Sequence, residues 1–510
     1  MLRRLFGVAF VVAAIPFSAA AAAPVTVLGP GHRVVVRNDP YLDAVALTPP
    51  PMARAGLAGR APRAGRAGRA GRAGRAGRAG RAGRARVAAV PRAQAAAQRS
   101  AASELTRLFR THAISPTLYR RYRAILQAAI AANRRLQGTT RGYELGSVLA
   151  NVHAIAAAGL LSASRAPALF LTLDANRRWW TTGPLLSSGA RVELAGSQLV
   201  WEYYTGQGIE LQQLGSFGKA NGMFTAHDYK DLRTLLGELI PLAVKRAGGL
   251  VWEYYFFFDG GYPPWTSAMS QGTALEALSR GFRAFHDASY LSTGRQALPV
   301  FTAAPPAGVR LRTPEGNQYL QYSFAPGVSI INAFLQSLIG LHDFAKVSHD
   351  ARAMALFRAG DATTRTELPS FDTGAWSLYQ PGLEDSLDYH QLVTGFVHEL
   401  CDRTHTAVYC TTAQHFDAYL TTPPALRLLT HRAHRFRATT IRFDLSKASH
   451  VGIVMLRNGQ ILFETSADLT YGVNSFAVPA PGHTGTYTIR LAATDLAGNF
   501  NRIVATLAVS

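Results

Sequence analysis

SIINAFLQSLIGLHDFAK, residues 329–346, places Ile331, Phe334, Leu335, Leu338 and Leu341 on one face at helical spacing. The same spacing recurs elsewhere. PTLYRRYRAILQAAIAANRRL (116–136) has Leu118, Tyr122, Ile125, Leu126 and Ile130 on one face. MSQGTALEALSRGFRAF (269–285) has Met269, Leu275, Leu278, Phe282 and Phe285, and DYHQLVTGFVHELCDR (388–403) has Leu392, Phe396 and Leu400. Gly- and Pro-rich loops separate these helices. The pattern predicts a mainly α unit over 101–425, an α/α toroid whose long polar-aromatic loops gather at one mouth.

Residues 426–510 read differently. TTIRFDLS, HVGIVMLRNGQILFE, SFAVPA, GTYTIRLAATD and RIVATLAV alternate with a period of two, and Asn458-Gly459 sits where a two-residue hairpin turn belongs. The expectation is a small antiparallel β-sandwich of immunoglobulin-like type. It is read as a glycan-binding module or a packing spacer that folds independently and is dispensable for chemistry.

The chain opens MLRRLFGVAFVVAAIPFSAAAAA, two arginines, an apolar run and small residues, which reads as a signal peptide over 1–23. The run from Leu5 to Phe17 is short for a membrane span. The alternative is an uncleaved anchor; both give a secreted or cell-surface protein. Residues 24–100 read as a disordered basic tether, mostly an Ala-Gly-Arg triplet over 56–86. Of the net charge of +22, thirteen positive charges lie in 51–100 and two in 1–50, leaving +7 for 101–510. The charge therefore gives no argument for nucleic acid. The tether would be drawn to an anionic cell-wall polymer, lipid or polysaccharide, or it is a passive product of repeat expansion. Cys401 and Cys410 suggest a disulfide closing a small loop, against two unlinked thiols. No Cys/His spacing suggests a metal, and no cofactor is expected.

LVWEYY occurs at 199–204 and again at 250–255. Each copy reads as the end of a buried segment at the rim of the helical unit. Tyr203, Tyr204 and Tyr254 would offer faces to sugar rings, or they are aromatic core. Three later segments are more specific: PPWTSAMSQG (263–272), with Trp265, Ser267, Met269, Gln271 and Gly272; QYSFAPGVSIINAF (321–334), with Gln321, Tyr322 and Asn332; and SFDTGAWSLYQPGLEDSLDYHQL (370–392), with Tyr379, Asp388, Tyr389 and His390.

In order and approximate spacing these segments resemble the C-terminal catalytic domain of the D-glucuronyl C5-epimerases, over roughly 199–400. That resemblance implies a uronate-containing polysaccharide as substrate and implicates Tyr322, Tyr379 and Tyr389 in catalysis. At its motif positions it places Trp265, Gln271, Gln321, Asn332, Asp388 and His390 around the substrate, beside Tyr203, Tyr204 and Tyr254 of the repeat. C5 of a uronate is α to a carboxylate, so its proton can leave if the enediolate is stabilised, and epimerisation needs proton-transfer groups on both ring faces. A tyrosine acting as base needs activation by a cation or a donor, and His390 is the neighbour of Tyr389 that could donate. Two departures stand out: Gln321 replaces the family's glutamate, and Gln380-Pro381-Gly382 follows Tyr379 where the family has an arginine. The alternatives are a polysaccharide lyase that expels the C4 oxygen, or a non-catalytic glycan- or cell-wall-binding protein.

Overall fold

The computed structural model describes residues 23–29, 33–42 and 99–510. The Ala-Gly-Arg repeat, and all of the expected leader before residue 23, lie outside these. The described chain begins with β1 (Ala23–Leu28) and β2 (Val34–Asp39), then four helices: α1 (Ala101–Arg110), α2 (Pro116–Arg135), α3 (Thr140–Ala157) and α4 (Ala166–Thr182). Strands β3 (Arg191–Leu194), β4 (Trp201–Tyr204) and β5 (Gly208–Leu211) follow. Residues 24–29 and 33–42 therefore do not belong to the tether predicted from residue 24. β1 pairs antiparallel with β2 and parallel with β3, giving a sheet of order β2-β1-β3-β4-β5. Just beyond β2, Leu42 is buried with Val25 and Val200, and Asp39 forms a buried ion pair with Lys219 at 2.7 Å.

Four helix hairpins come next. They are α5 (Gln213–Thr225) with α6 (Tyr229–Leu239), α7 (Ala268–Phe285) with α8 (Ala288–Ala297), α9 (Ile331–Ser348) with α10 (Ala351–Glu367), and α11 (Leu387–Thr404) with α12 (Ala407–Tyr419). The first helices of the hairpins pack side by side in the order α5, α7, α9, α11, the α/α arrangement expected from the periodicity. Each turn within a hairpin is built alike: His227, His286, His349 and His405 sit at φ of 61°, 54°, 53° and 51°. The next residue caps the following helix, through a side-chain oxygen in Asp228, Asp287 and Asp350. Between hairpins the chain returns through a proline-bearing 3₁₀ turn (240–242, 298–301, 368–371) and a short β-hairpin. Those hairpins are β6 (Val244–Arg246) with β7 (Gly249–Val251), β8 (Arg310–Arg312) with β9 (Asn317–Tyr319), and β10 (Leu378–Gln380) with β11 (Leu383–Glu384). The segments that return to α7, α9 and α11, together with the β4–β5 region before α5, supply the residues of one pocket.

Gly272 and Gly340 let α7 and α9 touch backbone to backbone. A Cβ on Gly340 would overlap the Gly272 carbonyl, and one on Gly272 would come within 2.7 Å of the Ser337 Cα. The Cys401–Cys410 disulfide ties α11 to α12.

The C-terminal β region comprises β12 (Leu426–Leu428), β13 (Arg432–Ala433), β14 (Thr439–Leu445), β15 (Ser449–Arg457), β16 (Gln460–Leu469), β17 (Gly472–Val478), β18 (Gly485–Asp495) and β19 (Phe500–Val509). One sheet has the order β12-β14-β17 and the other β13-β19-β18-β15-β16. Ile441, Phe443, Val451, Ile453, Tyr487 and Leu507 from both sheets share one buried core. The region is docked on the helical unit: Asn499 Nδ2 donates to Leu420 O at 2.9 Å, and Asn501 Nδ2 to Pro424 O at 2.8 Å.

Candidate active site

The repeated LVWEYY resolves residue by residue. Its glutamates are buried and paired, Glu202 with Arg191 at 3.2 Å, and Glu253 with Arg165 at 2.7 Å and Arg246 at 2.8 Å. Trp201 and Trp252 are core. The two copies are used one residue out of step. Tyr204 and Tyr254 line the pocket, but Tyr203 does not: its hydroxyl donates to Glu144 at 2.8 Å and its ring meets Trp180 edge-on. β4 alternates, so neighbouring residues face opposite ways.

The pocket wall brings together Tyr204, Gln212, Tyr254, Phe256, Phe258, Trp265, Ser267, Gln321, Tyr322, Asn332 and Tyr389, along with Leu214 and Met269. Its aromatic rings stack mostly on one another. Tyr254 lies on Trp265 at 4.3 Å, Tyr204 on Phe256 at 4.8 Å, and Phe324 on Tyr322 at 5.2 Å. The free volume within it is about 30 Å³, room for a water molecule or two. Among the described residues no charged side chain lines it.

Several polar groups on the wall are fixed by local bonds. The Tyr254 hydroxyl accepts the Leu214 N–H at 3.0 Å, and Gln212 Nε2 donates to the Tyr204 hydroxyl at 2.6 Å. Ser267 caps α7 through its oxygen and donates to Gln321 Oε1 at 3.2 Å. Gln321 thus holds a neutral hydrogen bond where the family has a charged glutamate. Burial pushes the Tyr254 hydroxyl up to about 12.

Tyr322 stands on the wall just before α9, and Tyr389 in the first turn of α11. Tyr379, on β10, is not on the wall; its ring meets Tyr389 edge-on at 5.2 Å. The hydroxyls of Tyr322 and Tyr379 lie close enough to perturb each other, yet neither completes a well-formed hydrogen bond with the protein. Burial raises both above the ordinary tyrosine range, helped at Tyr322 by Tyr379 and Tyr389 and opposed at Tyr379 by the Tyr322 hydroxyl.

Three further predicted residues lie off the wall. Gln271 is fully buried; its Nε2 donates to Trp252 O at 2.9 Å and to Thr266 Oγ1 at 3.1 Å, holding the entry to α7. Asp388 is exposed. His390 is buried and stacked on Trp376 at 3.8 Å, with Nδ1 2.7 Å from Ser377 Oγ and Nε2 3.0 Å from Phe416 O. It therefore does not activate Tyr389. Helix geometry explains the difference, because consecutive residues on α11 point about 100° apart. The sequence reading missed Gln212, Phe256 and Phe258 as site residues. The aromatic run FFFDGGYPPW (256–265), beside a motif already recognised, was the available signal for the phenylalanines.

Paired-helix hairpins with a tyrosine-walled pocket at their loop end define an α/α domain whose chemistry would sit at that mouth. Residues 248–418 match the family model described as D-glucuronyl C5-epimerase C-terminus, and this segment belongs to that family. Over 130 residues the chain is 33% identical to the D-glucuronyl C5-epimerase of Caenorhabditis elegans, covering 23% of this chain and 21% of that protein. Over 137 residues it is 26% identical to the uncharacterized protein MJ1128 of Methanocaldococcus jannaschii, covering 26% and 44% of the two chains. The chain thus spans about a fifth and under half of the lengths of these curated relatives. Among solved structures, cellobiose 2-epimerase from Bacillus thermoamylovorans B4167 aligns at a TM-score of 0.33 and 8% identity, covering 55% of this chain and 74% of that one.

Proposed function

We propose that the protein is a carbohydrate epimerase that inverts C5 of uronate residues in a polysaccharide. The observation that carries this is the convergence of Tyr322 and Tyr389 on one pocket wall, with Tyr379 touching both, inside the segment that matches the epimerase family. One tyrosine, ionised, takes the C5 proton, and another, still carrying its own, returns a proton to the opposite face of the enediolate. Tyr322 and Tyr379 hold their protons at neutral pH, so a tyrosine must ionise before it can serve as base. The neutral donors of the wall, Gln212, Asn332 and the hydroxyls, then carry the uronate carboxylate in place of the family's arginine. Phe258 and Phe324 move aside as a sugar ring enters the narrow pocket. The N-terminal leader and basic segment export the protein and hold it near an anionic surface. The strand order β12-β14-β17 against β13-β19-β18-β15-β16 supports an immunoglobulin-like reading of the β region.

Incubation with glucuronate-containing polysaccharide in deuterated water tests the reading, with deuterium at C5 read by NMR. Incorporation without an ultraviolet-absorbing unsaturated product supports the epimerase, whereas that product identifies a lyase. The uncharged wall favours one other reading, a non-catalytic glycan-binding protein; it would bind the polymer and give no exchange.

A further inference from the structure

Lys447 lies in the turn between β14 and β15, yet its ammonium is directed into the helical unit. Lys447 is 1% exposed. Its Nζ donates to Tyr419 O at 2.8 Å and to Thr422 O, pairs with Asp495 at 2.6 Å, and lies 5.1 Å from the Trp376 ring centre. Trp376 is stacked on His390, and its Nε1 donates to Asp385 O at 2.8 Å. A second bridge runs the other way. Glu384, on β11, accepts the Ala448 N–H and the Tyr471 N–H of the β region, each at 2.9 Å. Glu384 is also the ladder partner of Leu378, the residue before Tyr379. The segment 376–385 that carries Tyr379 is thus gripped at both ends by the C-terminal β region.

We propose that Lys447 and Glu384 are positioning residues through which the β region fixes the β10–β11 hairpin, and with it the place of Tyr379 against Tyr322 and Tyr389. The catalytic half of this inference rests on the epimerase reading; the structural half does not. A free carboxylate in water would accept hydrogen bonds in any direction. Here both oxygens are committed to backbone donors two strands apart, so the hairpin cannot shift without breaking charge-assisted bonds. Small displacements of reacting groups lower turnover steeply, so loosening this grip reaches the pocket although neither residue lines it.

The test uses the full-length chain labelled with 3-fluorotyrosine, the Tyr379 resonance being assigned by its loss in Tyr379→Phe. Glu384→Ala and Lys447→Met should each shift or broaden that resonance and lower C5 exchange about tenfold or more through kcat, with KM little changed. Arg427→Ala, which removes an exposed ion pair of the β region with Asp444, should alter neither. An unmoved Tyr379 resonance in both variants, each folded, overturns the proposal. If the resonance moves while the wild type itself gives no exchange, the positioning stands and the epimerase reading fails.

Discussion

His390 Nε2 faces a backbone carbonyl, so it carries a proton. Its Nδ1 faces both the Ser377 N–H and the Ser377 hydroxyl, so it accepts. The Ser377 hydroxyl lies between that nitrogen and Asp385 and donates to Asp385 Oδ2 at 2.5 Å. Burial, outweighing that hydrogen bond, raises Asp385 from 3.8 to about 7, and it lowers His390 from 6.5 to about 4. The raised Asp385 contributes stability below pH 3.8 that is lost as pH climbs through about 7. The lowered His390 contributes stability above pH 6.5 that is lost as pH falls through about 4. The two slopes oppose each other between those limits, and the Asp385 loss dominates around pH 7. Asp385→Asn keeps an amide oxygen for the Ser377 hydroxyl and cannot ionise. The melting temperature of the wild type should fall more steeply between pH 6.5 and 8 than that of Asp385→Asn, in which burial still holds Glu399 up at about 7; parallel profiles would refute the raised Asp385. At the pocket, Tyr389→Phe removes one hydroxyl and spares the ring. It should slow C5 exchange about a hundredfold or more with KM little changed. Exchange by the wild type should rise with pH through the neutral range, because the raised tyrosines must ionise. Normal exchange by Tyr389→Phe would move the proton transfer to Tyr322 or Tyr379.

Among the elements, α2 was legible because it buries one face that three-and-four spacing records, whereas α7 and α9, buried nearly all round, were legible from the spacing of their larger apolar residues and their length. The short strands β6–β11 were not, since two or three residues cannot display a period of two. A further signal went unread. His-Asp recurs at 227–228, 286–287 and 349–350, and Leu-Pro or Ile-Pro at 240–241, 298–299 and 368–369. Together they mark a hairpin repeat of about sixty residues, which is how repeated supersecondary units announce themselves. The two motif residues Gln271 and Gly272 also changed meaning, since they hold the start of α7 and admit α9. Gly340→Ala should therefore destabilise the chain by about 1–3 kcal/mol in denaturant unfolding. Asp350→Ala, which loses a cap, should cost about 1 kcal/mol. A Gly340→Ala chain as stable as wild type would show that the helices part without strain.

Over the whole molecule, the change from helical to alternating sequence near residue 426 located the β region, because periodicity is local. What that region touches was hidden, for nothing in the stretch around Lys447 records that its partners lie on α12, β18 and beside Trp376. The strands at 23–28 and 34–39 were lost for the same reason: β1, the strand that joins them to the sheet, has its partner β3 some 160 residues downstream. No helix among the described residues is long and apolar enough to cross a membrane.

The short connection at Thr421–Pro423 is exposed, although the buried Lys447 bonds Tyr419 O before it and Thr422 O within it. A protease that nicks the chain there should not release two fragments. The nicked protein should elute as one species in gel filtration under native conditions and run as two bands only in denaturant. The β region would then remain as a tightly bound subunit of the helical unit. Fragments that separate on the native column would mean that the peptide link, and not Lys447 and Glu384, holds the halves together.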